Sequence, residues 1–576
     1  MMRSGTTFGL ALVALTGCQD VINLDPVDER PVIQPRSRPG PIIGGTLLVE
    51  AGLAVAADPD RDLIHVVDLE NRRVLHTITL EPGDQPGRVV RGSEHEVHVV
   101  LRGFGGLATI DDQEGTLLRR QQLCPEPRGV AYDDAEASIY VTCAGGALIE
   151  LDESGNELSR TKVEPDLRDV VLVDGKPVMS KFREATLVDE ERARTTVPQQ
   201  GEFQARVAWR TWTVPNDPSN AIYMLHQLSS TNPVPIDPPP EEMGPEDGDL
   251  PYGGGGSFCE PGISTTAVTR FETGFVSTTI LPNARLTVDA AVSPDGAWLA
   301  LAMPGAKEDQ PTMAVMPNEG FGCFFDEGAR IGEQVTSVGF EPDGTLVMLS
   351  REPARLLIQS SVPFGEAEAI DLPGESVFDT GHEIFHRATD SGLSCATCHP
   401  EGTDDGHVWF FDGLGPRRTQ PLDVGLAGTA PFHWDGDMND MTVLMEEVLA
   451  HRMGGMMQSG ARRESFQSWV FAQEGRPADD GLQDSSLVAQ GQALFASMGC
   501  GSCHSGDKLG GSTSEPIRGM RLQVPSLVRV SLRPPYMHDG RSSTLEESVV
   551  DMIQTTTTAE VTSDNVTALT AYLRTL

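Results

Sequence analysis

A strand-and-turn unit recurs along the first part of the chain and constrains the fold more than any other feature. Each unit joins short apolar strands through turns of Asp, Pro and Gly, and "SPDG" at 293–296 and "EPDG" at 341–344 occupy matching places in two units. The clearest examples are residues 52–80, 128–158, 289–305 and 337–360. Repetition at a period of roughly 40 residues is typical of propeller blades. The pattern predicts an all-β propeller of about seven blades over residues 46–363.

The repeated units carry a diffuse family signal. Residues 139–152, "IYVTCAGGALIELD", resemble the YVTN-type repeats in the β-propellers of exported surface proteins. This resemblance implies a fold but no activity, and a propeller without a catalytic motif is usually a docking or spacing module. Residues 230–258 are too rich in Pro, Gly and acidic side chains to form a blade, so we expect an inserted surface loop there.

The pattern becomes helical after Gly374. Residues 379–399 and 484–504 both show helical spacing, and each segment ends at a C-x-x-C-H motif. This parallel arrangement predicts two small α-helical domains, residues 372–475 and 484–576, that descend from a duplicated ancestor. The chain is thus predicted to be multidomain, with the propeller first and two helical domains after it.

The two C-x-x-C-H motifs predict covalently bound haem. Cysteines spaced C-x-x-C on a helical turn present their sulfurs at the separation of the two porphyrin vinyl groups, and the histidine that follows binds the iron. The helical regions are therefore predicted to be cytochrome c-type domains with two haem c groups. The first haem would be held by Cys395, Cys398 and His399, and the second by Cys500, Cys503 and His504.

Two other uses of these cysteines stay open at this point. The two clusters could share one zinc ion, which prefers four protein ligands, or each cysteine pair could be a redox dithiol. The histidine that directly follows both motifs is unnecessary for zinc. We therefore favour haem.

Residues 379–576 resemble the bacterial di-haem cytochrome c peroxidases and their relative, the di-haem enzyme that matures a quinone cofactor on methylamine dehydrogenase. Besides the two motifs, the matching stretches are "RRTQPLDVGLAGTAPFHWDG" at 417–436 and "VPSLVRVSLRPPYMHDGRSSTLEESVVDM" at 524–552. The resemblance implies a di-haem oxidoreductase that reduces peroxide at the first haem. A non-enzymatic electron-transfer protein is the alternative, and a surface-binding protein in which the propeller does the work is a third hypothesis.

The resemblance also implies roles near the second haem. In the peroxidases a methionine fourteen positions after the histidine of the P-Y-x-H-D-G core is the sixth iron ligand, and Met552 stands there relative to His538. A thioether ligand raises the reduction potential, so electrons would enter at this haem. His538 itself is expected to form hydrogen bonds beside the haem. Trp434, in the family's W-D-G, would lie between the haems and assist electron transfer; the alternatives are core packing for Met552 and a structural aromatic for Trp434.

The far side of the first haem departs from the family pattern. The peroxidases have a displaceable histidine ligand in the loop after the motif, for which His407 is the nearest candidate, and a catalytic glutamate, whose place is taken by Gly454. His451 could replace that glutamate as a proton shuttle, because an imidazole titrates near neutrality. His433 is a third candidate.

Family members also hold a calcium ion between the two haem domains. The corresponding asparagine is Thr419 here, and the other contacts fall near Arg533 and Pro535. Since calcium prefers oxygen ligands, these departures leave only weak support for it.

The N-terminus predicts export. Residues 1–17 combine Arg3 with an apolar run, and Leu15-Thr16-Gly17-Cys18 resembles the lipobox of bacterial lipoproteins, which implies a lipid attached to Cys18. A plain secretory signal is the alternative. The Pro-rich residues 18–45 are expected to form a tether between the lipid and the folded body. The protein is then predicted to be anchored to a bacterial membrane, in the periplasm or at the cell surface.

The remaining cysteines suggest disulfides, since these persist outside the cytosol. Apart from Cys18 and the haem motifs, the chain has Cys124, Cys143, Cys259 and Cys323. Proximity in the sequence favours Cys124–Cys143 and Cys259–Cys323, and buried free thiols are the alternative.

The charge of the chain limits its partners. A formal charge of −41, from 84 acidic and 43 basic residues, argues against nucleic acid. The acidic surface is either simply solvated or a docking face for a basic redox protein, and a small cytochrome or cupredoxin is the predicted electron donor. No later apolar run is long enough to span a bilayer, so the lipid is the only predicted membrane contact.

Overall fold

The computed structural model describes most of the chain after residue 26. The described residues are 27–215, 217, 219–236, 250–253, 261–307, 310–318, 333–363, 365–475, 481–511 and 513–576. The predicted signal peptide, Cys18 and the predicted Cys259–Cys323 disulfide lie outside these ranges.

Seven antiparallel sheets within the described residues form a closed ring, which confirms the predicted propeller. The first strand of each sheet packs against the first strand of the next, and the last sheet meets the first. We number the sheets as blades 1 to 7 in chain order. Their strands are, blade by blade, Leu47–Glu50, Leu53–Asp58, Leu63–Asp68 and Arg73–Thr79; Pro86–Arg91, Glu96–Leu101, Gly106–Asp111 and Thr116–Gln122; Pro127–Asp133, Ser138–Cys143, Ala147–Asp152 and Glu157–Lys162; Leu167–Val173, Lys176–Lys181, Thr186–Asp189 and Arg194–Thr196; Phe203–Thr213, Ile222–Ser230, Ser264–Glu272 and Phe275–Leu281; Asp289–Val292, Trp298–Ala302 and Met313–Pro317; Val335–Phe340, Leu346–Ser350, Arg355–Gln359 and Glu368–Asp371.

Burial explains which strands the sequence pattern revealed. The second strand of blade 1, Leu53–Asp58, is buried along most of its length because neighbouring blades cover both of its faces, whereas the outer strand Arg73–Thr79 is mostly exposed. The outer strand of blade 7, Glu368–Asp371, lies beyond the predicted end of the propeller at residue 363. This strand is short, polar and largely exposed, so it carries no apolar signal.

A disulfide holds the first hairpin of blade 3. Cys124 precedes the first strand and Cys143 ends the second, and the two are joined. The first of the two predicted disulfides is therefore confirmed.

The helices lie in the C-terminal part of the described chain. They are α1 Thr380–His386, α2 Cys395–Cys398, α3 Met441–Leu444, α4 Gly460–Phe471, α5 Ser485–Ser497, α6 Leu545–Thr556 and α7 Ser563–Leu573, with a π-helix at Met445–Arg452 and 3-10 turns at Pro400–Gly402, Cys500–Ser502 and Val530–Leu532. Short strands outside the blades are Val27–Asp28, Pro233–Val234, Val408–Phe411, Gly415–Arg418, Met457–Gln458, Ser514–Ile517 and Met520–Gln523. Helix α1 packs on α4, and α7 packs on both α5 and α6.

Side-chain caps explain where several helices begin. An Asp or Thr side chain accepts hydrogen bonds from the first free backbone N–H groups of the helix, which would otherwise lack partners. The capping residues are Asp379 for α1, Asp440 for α3, Asp484 for α5, Thr544 for α6 and Thr562 for α7.

The propeller and the first helical domain share a hydrophobic core. Trp209 and Leu286 of the propeller lie in the same apolar cluster as Phe385, Phe466 and Trp469 of α1 and α4. Apolar burial of this kind is the main favourable term in packing. The position of the first C-x-x-C-H motif is therefore set partly by the propeller.

The described part of the predicted tether contacts the protein at several points. Val27 pairs with Met457 in a short parallel ladder, Trp469 Nε1 donates to Pro39 O at 3.0 Å, and Ile42 N donates to His386 Nε2 at 3.1 Å. The prediction that residues 18–45 cannot pack is therefore corrected at Asp28, Pro39 and Ile42, which are buried, while most of residues 29–38 are exposed. An extended Pro-rich segment has no periodic apolar pattern. Its contacts with α1 and α4 therefore could not be predicted from its sequence.

Candidate haem sites

A single helical turn presents the cysteines of the first motif. In α2 the Ser394 N–H donates to the Thr397 hydroxyl at 3.0 Å, and His399 N donates to Cys395 O at 2.8 Å. The Nδ1 atom of His399 lies 3.1 Å from Thr403 O, so an N–H there donates to the carbonyl. A histidine held in this way through Nδ1 would bind a metal through Nε2.

The second motif repeats this arrangement. A 3-10 turn at Cys500–Ser502 follows α5, and His504 N donates to Cys500 O at 3.0 Å. His504 Nδ1 lies 3.1 Å from Leu509 O, so an N–H there donates to this carbonyl. Burial lowers the pKa of both motif histidines, that of His399 to about 4, and the neutral ring is the form that binds a metal.

The four motif cysteines are unpaired and half-buried. Burial raises the pKa of Cys395 to about 12 and raises that of Cys398 as well. A raised pKa makes these two thiols poor nucleophiles, which argues against a reactive dithiol. Across the ranges that the structure describes, no three His, Cys, Asp or Glu side chains converge as a shared metal site would require. The donor set fits haem attachment better than either alternative.

A cavity of about 260 Å³ lies beside the first motif and includes Cys395, Cys398 and His399 in its wall. Most of the wall is apolar, as suits a flat hydrophobic cofactor. The apolar side chains include Phe385, Leu393, Leu422, Val424, Leu426, Phe432, Met441, Leu444, Val448, Phe466 and Val470. Polar groups are contributed by Arg417, Gln420, His433, Asp435, Asp437 and Arg452. The residues present therefore fit a haem with a polar edge.

Trp434 lies at the junction of the two helical domains. Its ring is part of the cavity wall and stands 6.2 Å from the ring of His538, edge to face. Its Nε1 donates to Arg418 O at 2.7 Å, and its carbonyl accepts from Gln523 N at 2.7 Å. These bonds hold the indole between the first cavity and the second domain.

His407 is not positioned as an iron ligand. It is buried against the propeller, with Nε2 2.9 Å from Ser230 O and Nδ1 3.3 Å from Arg206 Nε. Both ring nitrogens are thus engaged away from the cavity, and burial lowers the pKa of His407 to about 3. The expectation of a ligand at this position is wrong because the residue packs between domains.

His451 also lies away from the cavity. It is exposed on the π-helix, and its Nδ1 stands 3.7 Å from Glu447 Oε2. The π-helical winding brings its neighbour Arg452 to the cavity wall instead. The predicted proton shuttle at His451 is therefore not supported by the geometry.

His433, the third candidate, does reach the cavity. Its Nδ1 lies 3.6 Å from Asp437 Oδ1, and both side chains are part of the wall. Although burial raises the pKa of Asp437, its hydrogen bond to His433 and the nearby Arg452 lower it overall. The pair is suited to hold a proton beside the cavity.

The propeller contributes a wall residue that sequence reasoning missed. Tyr252, from the insertion in blade 5, lines the cavity together with Arg452. A Cβ atom on Gly454 would meet Leu250 Cδ1 at 2.4 Å, so a side chain at Gly454 would collide with the insertion. No local sequence pattern could have predicted that Tyr252 contacts the region of the first C-x-x-C-H motif, which lies more than a hundred residues later in the chain.

Met552 lies half-buried on α6. Its neighbour Asp551 pairs with Arg541 at 2.7 Å, and the apolar cluster of the second domain is built from other residues. The core-packing alternative for Met552 therefore has no support in this cluster. The apolar side chains Leu494 and Phe495 of α5, just before the second motif, pack against this cluster.

The positions associated with calcium are engaged with the protein. Thr419 accepts a hydrogen bond from Trp409 Nε1 at 3.1 Å, and Arg533 is buried with its Nε donating to Arg529 O at 3.0 Å. A buried guanidinium repels a cation. We do not propose calcium.

Both helical domains have sequence relatives. Residues 488–576 match the cytochrome c family. Cytochrome c551 peroxidase of Nitrosomonas europaea is 29% identical over 292 residues, which are 38% of this chain and 85% of that protein. Methylamine utilization protein MauG of Methylorubrum extorquens is 30% identical over 259 residues, which are 34% of this chain and 72% of that protein. The chain belongs to the di-haem cytochrome c peroxidase and MauG family.

Membership of this family supports a haem c oxidoreductase. The family and the Cys124–Cys143 disulfide are both consistent with an exported protein. None of the helices in the described part of the chain is long and apolar enough to cross a bilayer.

The propeller has structural neighbours outside the family. A chain of Kuenenia stuttgartiensis hydrazine synthase has a TM-score of 0.40 and 14% identity, and covers 58% of this chain and 99% of its own length. Streptogramin B lyase has a TM-score of 0.37 and 11% identity, with coverage of 54% and 92%. The propeller itself is assigned from the seven sheets.

Proposed function

We propose that this protein is a di-haem c-type oxidoreductase that reduces peroxide at the first haem, with electrons entering through the second. The observation that carries the proposal is the cavity beside the first motif, because its apolar wall also holds His433 and Asp437. An imidazole beside a carboxylate can hold and deliver protons close to a bound oxidant. This pair would take the proton-shuttle role that the sequence suggested for His451.

The two motifs would each hold one haem. Bound haem supplies one-electron storage and an iron that can activate peroxide when a coordination position is open. Cysteine sulfurs would form the thioethers, and the backbone-held histidines would direct Nε2 towards the metal. Met552 would complete the second site as a thioether ligand, which favours the reduced metal.

The overall reaction would break the O–O bond of hydrogen peroxide and form two waters, consuming two electrons and two protons. We propose that the electrons come one at a time from a small cytochrome or cupredoxin. Trp434 is held between the first cavity and His538, so it is suited to lie on the electron path. His433, paired with Asp437, would pass protons from solvent to the cavity.

A pure electron-transfer protein is the second candidate. Neither His407 nor His451 faces the cavity, and Gly454 has no side chain to act as an acid or base. If His433 and Asp437 also play no chemical part, both haems would serve only as carriers.

Peroxide-dependent oxidation of a reduced cytochrome separates the two candidates. Pigment that stays with the chain through acid-acetone extraction, at two haems per chain, would establish both attachments. Turnover well above that of free haem is then expected for the peroxidase. A rate equal to that of free haem would favour the carrier.

We further propose that the exported chain is lipid-anchored through Cys18 to a bacterial membrane. This residue lies outside the described ranges, so the proposal rests on the sequence Leu15-Thr16-Gly17-Cys18. Replacing Cys18 with Ser should move the protein from the membrane fraction to the soluble fraction while its haem absorbance is retained. Retention of the variant in the membrane fraction would contradict a lipid anchor.

A further inference from the structure

The two described parts of the blade 5 insertion, residues 230–236 and 250–253, both contact the first helical domain. In the first part, Pro233 and Val234 pair in parallel with Phe410 and Phe411. Asp412 N also donates to Val234 O at 2.9 Å. Strand Val408–Phe411 thus forms one small sheet with the propeller segment. Two of the residues on this strand, Trp409 and Phe411, line the cavity. The insertion therefore supports the cavity wall from outside the family domain.

The second part of the insertion brings Tyr252 into that wall. Tyr252 N donates to Arg452 O at 3.1 Å, and the tyrosine ring is stacked on Phe411 with centroids 6.0 Å apart and an interplanar angle of 28°. The hydroxyl stands 3.4 Å from Arg452 Nη1. Leu250 packs against Gly454, where a larger residue would clash. Glycine at that position thus permits the close approach of the propeller segment.

The cavity owes its shape on this side to the propeller. Two of the residues that line it come from the propeller: Tyr252 from the insertion, and Ile263 from just before strand Ser264–Glu272. The other lining residues come from the helical domains. A stacked aromatic ring is a rigid surface because only two side-chain torsions move it. A molecule that reaches the cavity along this wall must fit beside the Tyr252 ring.

We propose that Tyr252 is a specificity-determining residue that limits the first haem cavity to small molecules. It would admit hydrogen peroxide and exclude bulky organic hydroperoxides. This inference rests on the proposed function, since it assigns a size class to the substrate of the same site. The ring sets the limit, and the hydroxyl only adds a polar contact with Arg452.

Ligand-binding rates test the inference without turnover. Cyanide is the small probe and 4-phenylimidazole the bulky probe, and each is followed by the change in haem absorbance of the oxidised holoprotein. In Tyr252→Ala the bulky probe should bind at least about tenfold faster, equivalent to about 1.4 kcal/mol of barrier, while cyanide changes much less. Tyr252→Phe keeps the ring and should match the wild type for both probes.

Phe275→Ala is the matched control, because Phe275 is an exposed aromatic residue on the outer strand of the same blade. Unchanged binding of the bulky probe to Tyr252→Ala would overturn the inference, as would an equal effect of Tyr252→Phe. If Tyr252→Ala does not take up haem, Ile263→Ala shortens the other propeller side chain in the same wall and is judged by the same rates. Absence of peroxide turnover with the expected probe rates would refute only the proposed function.

Discussion

His433 and Asp437 are two of the polar side chains in a mostly apolar cavity wall. Their side chains are 3.6 Å apart, and Arg452 lies close enough to lower the pKa of the carboxyl. At this distance an imidazole can exchange a proton with solvent and present it to the cavity, which His451 cannot do from the exposed side of its helix. The proposed proton delivery thus depends on which of the nearby histidines faces the cavity.

We predict that His433→Ala lowers peroxide turnover by roughly 100-fold, the lower range for loss of a positioned acid or base. Haem content and the absorbance spectrum should be unchanged. Stopped-flow turnover with a reduced cytochrome measures the effect. His451→Ala, which removes the same side chain from an exposed position, should retain wild-type turnover; a comparable loss in both variants would contradict the assignment.

Met552→Ala is predicted to lower the reduction potential of the second haem by on the order of 0.1 V, since loss of a thioether ligand removes its preference for the reduced metal. Spectroelectrochemical titration resolves the two haems and measures this shift. Met520→Ala changes an exposed methionine of the same domain and should leave both potentials unchanged. Unaltered potentials in Met552→Ala would exclude the methionine as a ligand.

At the scale of elements, the packing positions of extended segments cannot be predicted from their composition. The Pro-rich residues 27–45 lie along α1 and α4, with Asp28 buried beside Arg462 at 3.2 Å. The two ends of the blade 5 insertion likewise dock on the helical domain. Extended backbone leaves its N–H and C=O groups free for any neighbour, so tertiary contacts decide where such segments lie.

The first hairpin of blade 3 depends on its disulfide. Cys124 and Cys143 are 19 residues apart, and a bridge over a loop of this length stabilises the folded state by roughly 3 kcal/mol. The double variant Cys124→Ser/Cys143→Ser should lower the free energy of unfolding by about this amount, measured by denaturant titration. Peptide mapping without reductant should find this pair, and should also find the predicted Cys259–Cys323 pair. An unchanged unfolding midpoint would show that the bridge is not needed.

At the scale of the whole molecule, the propeller contributes to the cavity beside the first C-x-x-C-H motif. It shares a hydrophobic core with α1 and α4, supplies Tyr252 to the cavity, and holds the loop after the first motif through a buried ion pair between Arg183 and Asp404 at 3.2 Å. Arg418 also binds Asp404, at 2.7 Å. Removal of the propeller would expose these groups, so the helical domains cannot be treated as an independent unit.

Two aspartates test this coupling because each pairs with a propeller cation. Asp404 and Arg183 are buried, whereas the pair between Asp390 and Lys307 is largely exposed. Asp404→Ala should lower the free energy of unfolding by about 3–5 kcal/mol, the usual result of leaving a buried charge unpaired. Asp390→Ala should cost less than about 1 kcal/mol. Equal losses, measured by denaturant titration, would contradict the role assigned to the buried pair.

The same pair predicts a dependence on pH. Burial raises the pKa of Asp404, but Arg183, Arg418 and Arg533 lower it overall to about 2, below the ordinary value of 3.8. A lowered carboxyl pKa contributes stability above pH 4 that is lost as the pH falls towards 2. The wild type should lose stability over this range, and Asp404→Asn should lose less.

Sequence alone determined the local features of this protein. Alternation of apolar residues and regular turns predicted the propeller, and the C-x-x-C-H motifs predicted haem c, because these signals lie within a few consecutive residues. Tertiary structure decided the rest: Tyr252 joins the cavity, His433 faces it, His407 turns to the propeller, and residues 27–45 dock. These outcomes depend on which surfaces pack together across hundreds of residues, and side-chain packing of that kind leaves no periodic mark in the chain.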